Sequence, residues 1–147
     1  MTKKSKPNDG QAIVEFAFVL PLLLIIVLGF IEFGILFFNK AMVTNASREG
    51  ARVGIELRKS GSACVAVPDS EIATAVSDYL QSKLITFGGS ATPTTSVTRT
   101  GTSPDCDPGG GTVEVQVSYT HTYLAFPRLA GWDGTVDIGA ETTMRRE

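Results

Sequence analysis

The sequence predicts an α+β chain: a long N-terminal transmembrane helix continuing outside the membrane, then an amphipathic helix packed on a small antiparallel sheet of about three strands. Three observations predict it. Residues 16 to 38 are apolar apart from Glu32. Apolar residues at helical spacing recur from Ile72 to Leu84, and beyond Thr94 the period changes from 3.6 to 2. The chain divides into a leader, 1–10, a transmembrane and extended helix, 11–59, and a domain outside the membrane, 60–147.

The apolar run spans roughly 35 Å at about 1.5 Å per residue, which exceeds the hydrocarbon thickness of about 30 Å. A cleaved secretory signal is the alternative, but the run is longer than the usual h-region of about 7–15 residues and no A-x-A site follows it. Pro21 removes an N–H donor one turn into this helix. From Asn39 to Lys59 the helix is expected to continue into water, ending at Ser60-Gly61-Ser62. Gly50 and Gly54 have the four-residue spacing that lets helix backbones approach. Arg48, Glu49, Arg52 and Glu56 read as a solvated face, with Arg52 and Glu56 a favourable pair.

After a connector through Val67-Pro68, Asp69 is the expected N-cap of the second helix, with Glu71 in its first turn and Ile72, Val76, Tyr79, Leu80 and Leu84 on one face. About 16 residues are expected before Gly88-Gly89 stops it. Thr94 to Thr100 is β-prone. Val113, Val115, Val117 and Tyr119 alternate with polar residues, as do Val136, Ile138, Ala140, Thr142 and Met144. The connections at 101–111 and 125–134 are rich in Gly, Pro and Asp or carry Pro127 and Trp132.

The formal charge of −2 gives no electrostatic case for nucleic-acid binding. Two cysteines, Cys64 and Cys106, exclude CxxC redox and paired-CxxC zinc patterns. One disulfide between them is the reading for an oxidising compartment, and closing that loop would stabilise by roughly 3–4 kcal/mol. Two reduced, buried thiols are the alternative. Lys3, Lys4 and Lys6 precede the membrane run while Lys40, Arg48, Arg52, Arg58 and Lys59 follow it, so charge alone does not orient the helix. The cysteine pair places the C-terminal part outside.

His121 is the only histidine, so no multi-histidine metal site or HExxH motif forms. On the odd-numbered face of its strand it reads as a hydrogen-bonded structural residue. GxSxG, Walker A and GxGxxG are all missing. Asp105 and Asp107 lack EF-hand spacing and read as turn residues. The chain is expected to be no enzyme and to carry no metal or cofactor. Its glutamates are more telling. Glu15 and Glu32 are 17 residues apart, about 25 Å of helix, so one falls near each boundary of the hydrocarbon core. Intramembrane acids call for a partner.

Gly10, four intervening residues, Glu15 and Phe16 stand before an apolar helix and after a short basic leader, an arrangement that resembles the type III signal of type IV pilins and pseudopilins. Downstream, Gly29-Phe30-Ile31-Glu32-Phe33-Gly34, then Ala46-Ser47-Arg48-Glu49-Gly50-Ala51-Arg52, and a last strand ending Thr142-Thr143-Met144-Arg145-Arg146-Glu147 are similar to the TadE-like family, minor pseudopilins of tight-adherence pilus systems. Phe16 stands where tyrosine is usual, and residues 60–111 have no counterpart in the resemblance.

The resemblance implies cleavage between Gly10 and Gln11 by a prepilin peptidase. The new α-amine at Gln11 would lie one helical turn from Glu15, and the carboxylate of one subunit could pair with the amine of the next. It assigns Glu15, Phe16 and Glu32 to assembly. The implied partners are that peptidase, the major pilin, other minor pseudopilins, the inner-membrane assembly platform and membrane lipid. The implied location is the bacterial inner membrane, single-pass, with the N-terminus cytoplasmic and the C-terminal domain periplasmic or in a surface filament. A membrane-anchored binding or sensory module is the alternative function, predicting an intact N-terminus and tolerance of Glu15→Ala.

Overall fold

The computed structural model describes residues 9–60, 63–86, 92–101, 111–124, 131 and 134–146. The leader before Asp9, Ser60-Gly61-Ser62 beyond its first residue, Gly88-Gly89, Cys106, Pro127 and Trp132 lie outside the described residues.

Helix α1 runs unbroken over Asp9–Gly54, with Pro21 inside it. It is long and apolar enough to cross a membrane. Its two halves differ in surroundings. From Ile13 to Ile31 the large apolar side chains are exposed or only partly covered, and no one face is favoured. From Glu32 onward a buried stripe appears: Glu32, Asn39, Val43, Ala46, Ser47, Gly50, Ala51 and Gly54. Steps of three, four and seven put these residues on one face, which is the pattern of a helix laid on a core.

The helix ends at Gly54 rather than at Lys59 as the sequence suggests. Its last turn tightens, with the Ile55 N–H bonding Ala51 O at 3.1 Å and the Glu56 N–H bonding Val53 O at 3.2 Å. Leu57–Ser60 then forms β1 and Ala63–Ala66 forms β2, an antiparallel ribbon in the register Leu57↔Ala66 to Ser60↔Ala63. The expected helical extension and connector are therefore a hairpin. Arg58 leaves the helix altogether and pairs with Glu71 across 13 residues.

Helix α2 spans Asp69–Gln81 and buries Ile72, Val76 and Leu80. It is shorter than expected, and Asp69 is not its N-cap. Pro68 takes that position without a side-chain bond, its carbonyl receiving the Glu71 N–H at 3.0 Å, while Asp69 pairs with Arg99.

Strands β3 (Thr94–Thr100), β4 (Thr112–Thr122) and β5 (Thr135–Arg145) form a sheet in the order β3-β4-β5, all antiparallel. The alternation in β4 is complete: Val113, Val115, Val117, Tyr119 and His121 face inward, while Gln116, Ser118 and Thr120 are exposed. Together with Val43, Ala46, Ala51, Val67 and the apolar face of α2 they make one core. The upper half of α1 lies across this sheet, held at β5 by Lys40 Nζ donating to Gly139 O and by a 2.7 Å contact between the Ser47 and Thr142 hydroxyls. The molecule is thus a compact head threaded by the helix that also forms its stalk.

Candidate functional site

At the foot of α1 nothing among the described residues covers Gly10, Glu15 or Phe16. A Cβ on Gly10 would have open space, and Phe16 is 63% exposed. Glu15 is also exposed, and the Gln11 side-chain amide donates to its carboxylate at 3.2 Å. This bond records the helical geometry: residues 11 and 15 share a face, one turn apart.

The second glutamate has the opposite surroundings. Glu32 is 5% exposed, buried where the head begins. Counting residues puts it at the end of the membrane run, but its burial follows from the long-range register that brings the end of β4 against α1. Above it, Asn39 is completely buried. Its Nδ2 donates to Ile85 O at 2.8 Å, and its Oδ1 accepts the Ile85 N–H at 3.0 Å, so the side-chain amide pairs with a peptide unit as a neighbouring strand would. This two-way pairing fixes which end of the amide is nitrogen. The second Nδ2 hydrogen therefore points to His121 Nδ1, 3.1 Å away, making that nitrogen an acceptor and placing the proton of the neutral ring on Nε2.

His121 is itself buried, with Tyr123 edge-on at 5.3 Å between ring centroids and Tyr119 at 6.4 Å. Burial holds its pKa below the ordinary value, while the charge of Glu32 acts in the other direction. The cluster Glu32, Asn39, His121, Tyr119, Tyr123 forms a polar collar at the junction of stalk and head. Asn39 gave no signal of its own in the sequence. Only its seven-residue spacing from both Glu32 and Ala46 marks it as part of the buried stripe.

The Arg48-to-Arg52 segment acquires a physical rationale from its orientation. Gly50 and Ala51 are buried. A Cβ on Gly50 would meet Val76 Cγ2 at 2.7 Å, and one on Gly54 would meet Val113 Cγ1 at 2.8 Å. The close approach that this glycine pair permits is to α2 and β4 of the same chain. Arg52 projects outward, gripping Glu49 through Nε at 3.0 Å and Nη2 at 2.6 Å, with Glu56 further away at 3.9 Å. That guanidinium lowers the Glu49 pKa, with the shared hydrogen bond the largest cause.

Cys64 is buried on β2, and the partner expected for it, Cys106, lies outside the described residues.

Residues 10–52 match the TadE-like protein family model. The matched segment begins at the signal glycine, passes both glutamates and Asn39, and ends at Arg52, two residues before α1 does. It agrees with the family that the sequence resembles. No curated protein and no solved structure matches the chain.

Proposed function

From a TadE-like, pilus-associated chain as the premise, we propose that the protein is a minor pseudopilin, cut by a prepilin peptidase between Gly10 and Gln11 and then assembled through the bare half of α1. One observation carries this reading: a single helix leaves its signal end and its whole apolar half uncovered while its other half is built into a folded head. An ordinary anchor needs only the apolar length. The exposed Gly10 junction, followed one turn later by a carboxylate facing the same side as residue 11, is what a cleaved and docked subunit requires.

In the proposed mechanism the peptidase reaches Gly10 from the cytoplasmic side. Cleavage creates a positive α-amine on Gln11. Either that amine or the Glu15 carboxylate buried alone in an apolar bundle costs several kcal/mol, about enough to forbid assembly, whereas pairing across subunits recovers much of it. The head stays periplasmic, with a Cys64–Cys106 disulfide closing residues 65–105 into a loop. Partners at the apolar half are membrane lipid before assembly, and the major pilin and sibling pseudopilins, together with the inner-membrane platform, during it. No step requires catalysis by this chain.

N-terminal sequencing of protein purified from the native membrane tests the first step. The expected mature sequence begins at Gln11, and Gly10→Ala retains the leader and abolishes piliation. An intact N-terminus in wild type, with piliation unaffected by Gly10→Ala, refutes the reading. Intact mass under non-reducing conditions tests the disulfide in the same sample, two free thiols being the result against it.

A further inference from the structure

The head does not begin where the apolar run ends. The run extends to Phe38, yet α1 already carries a buried side chain at Glu32. Hydrogen bonds fix how low the head reaches. Ile85 and His121 both bond the side chain of Asn39, which places them level with the top of the run. Strand β4 descends along α1, since Val113 stands beside Gly54, Val115 beside Gly50 and His121 beside Asn39. Its pairing with β5 continues past His121 to Tyr123, whose N–H bonds Gly134 O at 2.8 Å. A strand advances about 3.3 Å per residue and a helix about 1.5 Å, so these last two residues pass about four residues of α1 and reach the level of Ile35. Leu124 follows.

A hydrocarbon layer of about 30 Å takes about 20 residues of helix, so with Phe16 at one boundary the other falls near Leu36. The base of the head therefore lies against turns of α1 that belong to the bilayer. What the base presents at this level is apolar: Ile85 is 40% exposed and Leu124 49%, and Phe33, Phe37 and Phe38 are exposed on the other sides of α1. A crevice of about 250 Å³ between Leu36 and Phe37 of α1 and Val136 to Gly139 of β5 opens here as well. The polar groups at this depth are turned inward. Glu32 is buried, and Asn39 and His121 are buried and bonded to each other. An acid inside a membrane run has to face protein rather than lipid, and the base of the head supplies that cover. Lys40, the first charged residue after the run, carries its ammonium away from the bilayer to Gly139 O, at the level of Ser118.

We propose that the base of the head is a lipid-contacting surface, with Ile85 and Leu124 seated alongside Phe33, Phe37 and Phe38 in the interfacial layer of the bilayer. The bilayer is the partner because this surface continues the apolar run, on a helix that has no break between them. The inference rests on α1 as a membrane span and goes beyond it, since a plain anchor holds its domain clear of the lipid.

The experiment is methyl NMR of the full chain in phosphatidylcholine nanodiscs, with isoleucine, leucine and valine methyls labelled. Three paramagnetic probes are added separately: a lipid with its nitroxide near the top of the acyl chain, one with its nitroxide at the chain end, and a gadolinium chelate in the water. Ile85 and Leu124 are expected to lose their methyl signals to the first nitroxide and to keep them in gadolinium. Val65, exposed on β2 at the other end of the head, is expected to do the opposite. Leu23, within the run, reports on the span itself by losing its signal to the chain-end nitroxide. If Leu23 responds while Ile85 and Leu124 lose their signals to gadolinium alone, the span stands, the proposal is overturned and the surface is left to a protein partner. If Leu23 does not respond, the span fails and the proposal fails with it.

Discussion

The lower and upper halves of α1 share a backbone and differ in almost everything that surrounds it. Below Glu32 the helix carries large apolar residues on every side and touches almost nothing among the described residues; from Glu32 upward it carries small and polar residues on one side and packs into the core. Size explains the reversal. A helix facing lipid can carry bulk all round, whereas one laid across a three-stranded sheet and a second helix must thin its inner face so that valines from both can reach it. Gly29 in the lower half has open space at Cβ, while Gly50 and Gly54 have none. The same residue type marks an open surface in one half and a filled core in the other.

This contrast can be broken most strongly by removing bulk on the head side. Ile72→Ala should destabilise the head by about 2–5 kcal/mol, since the side chain is fully buried against α1 and the sheet. Leu23→Ala, exposed in the lower half, should leave the head's denaturation midpoint in micelles unchanged. Next comes Asn39→Ala, which strands the Ile85 peptide and His121 Nδ1 and should cost about 1–3 kcal/mol by chemical denaturation. A loss as small as that of an exposed residue would mean that the collar is not a structural clamp.

Adding one methyl sharpens the comparison further. Gly50→Ala brings a Cβ to 2.7 Å from Val76, a stiff β-branched neighbour, and should cost about 1–3 kcal/mol of overpacking against a helix-propensity gain of at most ~1 kcal/mol. Gly29→Ala takes the gain without the clash, so the two variants should shift head stability differently, the second by almost nothing. The smallest effect is on pH dependence. His121 has its folded pKa below its ordinary 6.5, so the unfolded chain binds the extra proton first; stability is full above that value and is lost as pH falls below it. Glu32 opposes this trend from across the collar, and burial raises the Tyr119 pKa, so that phenol stays neutral in this window. His121→Phe should flatten the slope of unfolding free energy between pH 7 and pH 5.

The sequence foretold most of the architecture because each element announces itself locally. Alternation from Val113 to Tyr119 needs no partner to be recognised, nor does the helical spacing of Ile72, Val76 and Leu80. The β1–β2 ribbon was missed because its strands are four residues each and because Glu56, Arg58 and Lys59 suit a solvated helix equally well. Pairing Lys59 with Cys64 is what makes it a hairpin, and pairing is not a local property. At the site, Gly10, Gln11, Glu15 and Phe16 were legible as a linear motif. The collar was half legible: Glu32 and His121 each stood out as solitary ionisable groups, but their meeting depends on the register of β4 against α1. Asn39 was silent for the same reason, since an amide mid-helix is ordinary until its partners are seen.

The continuity of α1 also gives the molecule the mechanics of a shaft. The helix axis passes from the apolar half into the core without a hinge at the collar, and Asn39 with Lys40, then Ser47 about two turns further on, key the head to it at two heights. With about 3.6 residues per turn, a slip of the lower half by one residue against its surroundings turns the head through about 100° and shifts it by about 1.5 Å. The bearing of the head around the axis is therefore set by whichever contacts grip the bare half.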